Sequence, residues 1–135
     1  DTGCRIAADG RFQACNDPTD WPLSRVAAQV AAAQPDLIVH VGDYVYREAP
    51  CPDGEPGCAG SPWGDNAATW QADVFGPLAP ALRAAPWLFV RGNHEDCDRE
   101  GGGWFRYLDS RPLPAACQRF TEPYAVPVGG LRFLV

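Results

Sequence analysis

Apolar positions recur at helical spacing in some stretches of the chain and in unbroken runs in others, and the two patterns predict different elements. Leu23, Val26, Ala27, Val30 and Ala31 form one helical stripe, so a helix runs from Leu23 and stops before Pro35. Asp20 is its expected N-cap, with Pro22 in the first turn. Leu37 to Val41 is a continuous apolar run, which suits a strand covered on both faces, and Trp87 to Val90 repeats the pattern. Between them, residues Ala67 to Ala84 predict a helix in two pieces, broken by Gly76, Pro77 and Pro80, with Trp70, Val74, Phe75, Leu78 and Leu82 facing the core. Tyr124 to Val128 and Leu131 to Val135 are joined by Gly129 and Gly130, a two-residue hairpin signal. Two buried strands linked by a helical crossover make a βαβ unit, so the fold class is α/β, with both strand ends on one sheet edge.

Ligands of open α/β sheets bind outside the carboxyl ends of the strands. The first strand delivers Gly42, Asp43, Tyr44, Val45 and Tyr46 there, and the second delivers Arg91, Gly92, Asn93, His94 and Glu95. Asp43 and Asn93 are therefore neighbours. The bland alternative is a turn in which the tyrosines pack, and His40, inside the first strand, reads as a core or supporting residue. Residues Arg47 to Asn66 form a long Pro-, Gly- and Cys-rich loop that starts at the candidate site and carries Trp63, a substrate-facing wall or a cover for the sheet edge. The run Gly101, Gly102, Gly103 lacks the context of a nucleotide fingerprint and predicts flexibility only, followed by a short helical turn over Trp104 to Leu108.

The composition, 46% hydrophobic and 21% charged over 135 residues, fits one globular unit. A net charge of -6 argues against nucleic acid or an anionic membrane held by bulk charge. An anionic substrate then needs a local attractor. All eleven basic residues are arginine, a compositional trait whose bidentate fork also suits phosphate. The six cysteines form no CxxC pair, so disulfides are favoured over zinc, and sequence neighbours suggest Cys4 with Cys15, Cys51 with Cys58 and Cys97 with Cys117, although fifteen connectivities are possible. An oxidising compartment follows, hence a secreted or periplasmic location. No apolar run approaches the ~20 residues of a membrane span.

Read together, Asp1-Thr2-Gly3, Gly42-Asp43-Tyr44-Val45-Tyr46 and Gly92-Asn93-His94-Glu95 resemble the motifs of calcineurin-like metallophosphoesterases, DxH or DxG, GDxx and GNH[DE]. Gly3 in place of a histidine and Tyr46 three residues after Asp43 together resemble the purple acid phosphatase branch, and a related bacterial-type branch of exported phosphoesterases fits as well. The string Gly42 to Arg47 also resembles the GDxVDR of phosphoprotein phosphatases, which makes Arg47 a candidate phosphate contact, with a surface salt bridge as the alternative.

The resemblance implies a layered metallophosphoesterase fold and hydrolysis of a phosphate ester by a metal-bound hydroxide at a dinuclear site. Two cations about 3.5–4 Å apart need a bridging anion, for which Asp43 is the candidate. Asp1 and Tyr46 would complete a hard Fe(III) site, while Asn93 would offer its carbonyl oxygen to Fe(II), Zn(II) or Mn(II). His94 would protonate the leaving alkoxide or stabilise the equatorial oxygens, oriented by Glu95. The resemblance also implies three further histidine ligands, and neither His40 nor His94 fits those motifs. Residues 1–135 are accordingly expected to be the N-terminal half of one domain, cut at both ends and ending in the hairpin, nearly inactive alone and completed by a C-terminal half carrying the histidines. Monoester and diester substrates are not separated by these residues. A non-catalytic metal- or phosphate-binding module on the same scaffold is the alternative.

Overall fold

The computed structural model describes residues 1–135. Helix α1 (Leu23–Ala32) forms over the expected stripe and buries Leu23 and Ala27. Its cap differs from expectation: Pro22 stands at the N-cap with no side-chain bond. Asp20 instead accepts the Ala14 N–H at 2.6 Å, so its carboxylate closes the preceding loop.

Strands β1 (Ile38–His40) and β2 (Trp87–Phe89) pair in parallel, with Ile38 opposite Trp87 and His40 opposite Phe89. The crossover begins with α2 (Ala67–Trp70), whose Asn66 cap accepts the Ala68 and Thr69 N–H groups. It continues without a break into a π-helical turn, Gln71–Phe75. Gly76 closes that wide turn by donating to the Gln71 carbonyl at 2.8 Å. A Cβ at Gly76 would lie 2.9 Å from the same oxygen, so glycine is required there. Pro80 does not break a helix as expected but starts one, α3 (Ala79–Leu82), where its missing N–H costs nothing.

The glycine run is a second correction. Gly101, Gly102 and Gly103 open α4 (Gly101–Tyr107), an ordered helix. Packing explains it: the Gly103 N–H donates to both Asp65 oxygens at 3.0 Å, and the Trp70 indole fills the space a Cβ would need. Trp70, Trp104 and Tyr44 are fully buried and, with Val45, Val74, Leu78 and Phe105, form the main core. Fully burying one large apolar side chain contributes about 1.5–3 kcal/mol. Tyr44 thus packs, as the bland alternative had it, donating its hydroxyl to the Val90 carbonyl at 2.8 Å.

The expected hairpin is present as β3 (Ala125–Val128) and β4 (Leu131–Leu134), with Gly129 at φ 57 in the turn. The sheets are two-stranded. β1 is therefore not covered on both faces, and Val39 and Val41 are 45% and 76% exposed. The disulfides are Cys4–Cys15, Cys51–Cys58 and Cys97–Cys117, the sequence-neighbour pairing. No helix is long and apolar enough to cross a membrane.

Candidate active site

The two strand-end loops meet through their glycines. A Cβ on Gly42 would lie 2.5 Å from the Gly92 Cα, so the loops cross at a distance only glycine permits. Immediately beyond, Asp43 adopts φ 61, a left-handed conformation that costs a non-glycine residue about 1–3 kcal/mol and clusters at functional positions. Glu95 holds that backbone in place. Its fully buried carboxylate accepts the N–H groups of Asp43 (2.9 Å), Tyr44 (2.8 Å) and Gly92 (2.9 Å), tying both loops together. This corrects the expectation that Glu95 orients the His94 ring, because its oxygens are engaged by backbone donors.

The Asp43 side chain is the hub. Its Oδ1 accepts the His94 N–H at 2.9 Å and its Oδ2 accepts the Tyr46 hydroxyl at 3.0 Å. Burial pushes the Asp43 carboxyl up, but these bonds outweigh it and hold the group below the usual carboxylate range. The Tyr46 phenol is pushed up to about 12 by burial and by its bond to Asp43. The His94 ring lies against it, with centroids 3.7 Å apart. Burial, then the nearby Arg99 charge, holds that imidazole below its ordinary value.

The first junction arrives from the other side. The Thr2 N–H donates to the Asp43 carbonyl at 3.0 Å, which brings Asp1 beside the site. A Cβ on Gly3 would lie 2.7 Å from the Tyr44 oxygen and the Tyr46 nitrogen. His40 supports this junction: its Nε2 is 3.0 Å from the Thr2 hydroxyl, and its Nδ1 accepts the Gly42 N–H at 3.2 Å. Asp43, Tyr46 and His94 thus meet at the sheet edge, with Asp1 in the adjoining segment. Asn93 is exposed, makes no hydrogen bond to any of these groups and lines a cleft of about 490 Å³ with Arg119 and Tyr124.

Arg47 departs furthest from expectation. Its guanidinium is buried, with Nε 2.5 Å from Asp73 Oδ1, and its other face covers Trp21. It is a buried ion pair, not a surface salt bridge. Glu48, its neighbour, is the residue the sequence did not single out: Oε1 lies 3.2 Å from His94 Nδ1 and 3.5 Å from Arg99. The His94 approach is an ion-pair distance whose angles do not make a hydrogen bond. Nothing in the pattern of the Cys- and Pro-rich loop marks Glu48.

The donor chemistry suits hard cations, because Asp43 and Tyr46 put carboxylate and phenol oxygens in contact and a cation would take the place of the shared proton. The shell is partial, since no three His, Cys, Asp or Glu side chains converge on one point. No curated protein and no solved structure shows a match to the chain. The family model of calcineurin-like phosphoesterases matches residues 14–135, which takes in both strand-end loops and leaves Asp1 to Gly3 outside. With nearly the whole chain matched, the chain belongs to the calcineurin-like phosphoesterase family, whose chemistry is metal-dependent hydrolysis of phosphoesters.

Proposed function

We propose that this chain supplies the acidic half of a dinuclear phosphoester hydrolase site of the purple acid phosphatase type, in an exported protein stabilised by its disulfides. The observation that carries the reading is Asp43, held on strained backbone with both carboxylate oxygens presented between Tyr46 and the His94 loop. Asp43, Asp1 and Tyr46 would hold a hard Fe(III), with Asp43 shared with a second ion, and the exposed Asn93 would offer its carbonyl oxygen to that Fe(II), Zn(II) or Mn(II). The bound cations supply a water ionised near neutral pH and neutralise the phosphoryl oxygens. Glu95 fixes the two loops so that these donors keep their spacing. His94, its Nδ1 facing Glu48, keeps Nε2 for a phosphoryl oxygen or the leaving alkoxide. Arg47 takes no part in phosphate binding.

With two histidines in 135 residues, the remaining ligands come from histidines outside this stretch, so the active unit is a longer polypeptide of which these residues form the N-terminal half. The short ligand set is also what favours the second reading, a binding module without turnover. Metal analysis of that polypeptide, with turnover of a monoester and a diester, separates them. In Asp43→Asn both metals and turnover are lost while the fold persists, and Tyr46→Phe abolishes any phenolate-to-iron absorption. Full metal content in Asp43→Asn refutes the bridging role, and bound metal without turnover of either ester in the parent protein leaves the binding module.

A further inference from the structure

The Cys4–Cys15 disulfide folds the segment after the first motif back on itself and builds one wall of a cleft of about 900 Å³. Asp1 and Tyr46 line this cleft, so it opens onto the candidate metal ligands. Arg5 stands in the same wall with its backbone fixed: its N–H donates to Gln13 Oε1 at 3.2 Å, and its carbonyl accepts the Gln13 N–H at 2.8 Å. Its guanidinium carbon lies 5.6 Å from the centre of the Tyr46 ring. No carboxylate is within ion-pair distance of it, whereas Arg11 in the same cleft is matched by Asp9 at 2.7 Å. Arg5 is therefore an always-charged fork without a carboxylate partner, lying over the Tyr46 ring, in a protein of net charge -6.

The facing wall is apolar. Trp21, Leu23 and Val26 form it, and Val26 is 51% exposed. The Trp21 indole N–H donates to the Thr2 carbonyl at 2.8 Å, which fixes that wall to the segment carrying Asp1. Clefts of about 300–1,000 Å³ bury ligands far larger than a phosphate ion. We infer that this cleft holds the leaving group of the phosphoester, that Arg5 binds a phosphoryl oxygen, and that the favoured substrates are esters of aromatic or bulky apolar alcohols. The inference rests on the phosphoesterase reading and extends it to substrate class. An arginine-to-phosphate bond is charge-assisted and bidentate, the geometry that lysine does not reproduce.

The test uses the complete polypeptide with inorganic phosphate, glycerol phosphate and phenyl phosphate, reading dissociation constants from intrinsic tryptophan fluorescence or calorimetry. Phenyl phosphate is expected to bind at least about tenfold tighter than glycerol phosphate, in line with burial of one aromatic ring. Arg5→Ala weakens all three about tenfold or more, and Arg5→Lys restores only part of the loss. Val26→Asn removes the preference for phenyl phosphate and leaves inorganic phosphate bound as before; Val26→Ser checks that the effect is polarity at an exposed position. Unchanged inorganic-phosphate affinity in Arg5→Ala overturns the Arg5 role, and a preference that survives both Val26 variants overturns the leaving-group cleft. Turnover that depends on Asp43 but does not distinguish aryl from glycerol esters overturns this inference alone. Selective binding of phenyl phosphate without turnover upholds the cleft and overturns the phosphoesterase reading.

Discussion

Replacing Glu95 by glutamine keeps its shape and changes only what it offers the loops. The carboxylate accepts three backbone N–H groups, from Asp43, Tyr44 and Gly92, at 2.8–2.9 Å. A glutamine has one acceptor oxygen, so its amide nitrogen must face at least one of these donors. Placed against Tyr44, it leaves a buried N–H unpaired at a cost of about 1–3 kcal/mol. The other bonds pass from charge-assisted to neutral, a loss of ~1 kcal/mol each. Burial pushes the Glu95 carboxyl up, with the backbone bonds opposing it, so removing the charge recovers part of this. The net expectation for Glu95→Gln is a loss of about 2–4 kcal/mol. With a urea slope of about 1–3 kcal/mol/M, the unfolding midpoint drops by ~1–2 M, measured by tryptophan fluorescence and near-UV circular dichroism. A midpoint within ~0.3 M of the parent would falsify the tying role. If turnover then fell with stability intact, the original expectation, that Glu95 orients His94, would be restored.

Arg47→Ala leaves Asp73 buried without its partner, a change of about 3–5 kcal/mol for a charged group. Burial, opposed by Arg47, already raises Asp73 to about 6, so the variant escapes part of the cost by protonating and is less destabilised at pH 5 than at pH 8. Urea midpoints at the two pH values check this, and weakened phosphate binding with normal stability would restore Arg47 as a substrate contact. Glu100 carries a second pH dependence. Burial, then the charge of Asp65 and a hydrogen bond shared with it, with lesser contributions from Asp73 and Glu95, raises its carboxyl to about 8. The folded chain therefore holds a proton that the unfolded chain releases above its ordinary value, so Glu100's contribution is complete at pH 4 and is lost as pH rises to 8, by at most about 1.4 kcal/mol per unit. Glu100→Gln flattens this slope in urea unfolding followed from pH 5 to 8, and an unchanged slope refutes the assignment.

The stripe of α1, the paired strands and the glycine hairpin were legible because each rests on a repeating local pattern. The strand-end loops were legible for another reason: short apolar runs followed at once by Gly-Asp or Gly-Asn announce where backbone must turn sharply. What escaped depends on partners distant in sequence. Three consecutive glycines have poor helix propensity, and the packing that makes Gly101 to Gly103 helical comes from residues distant in sequence, Trp70 and Asp65 among them. Arg47 looked available because Asp73 sits inside a helical stretch whose sequence does not announce that its carboxylate turns inwards. Glu48 and Arg5 lie in loops organised by disulfides, where no periodicity exists to assign a side chain to a face.

Gly3 and Tyr46, which together pointed to one branch of the family, are joined by sterics. The backbone of the first motif runs against residues 44–46 so closely that a Cβ at position 3 would meet the Tyr44 oxygen and the Tyr46 nitrogen at 2.7 Å. Any side chain there must push the two segments apart and carry Tyr46 away from Asp43, with which it now shares a hydrogen bond of 3.0 Å. Because Asp43 is itself fixed by the Gly42–Gly92 crossing and by Glu95, the shift cannot be absorbed there. Gly3 thus keeps the first motif close enough to residues 44–46 for the Tyr46 phenol to stay within hydrogen-bonding distance of Asp43.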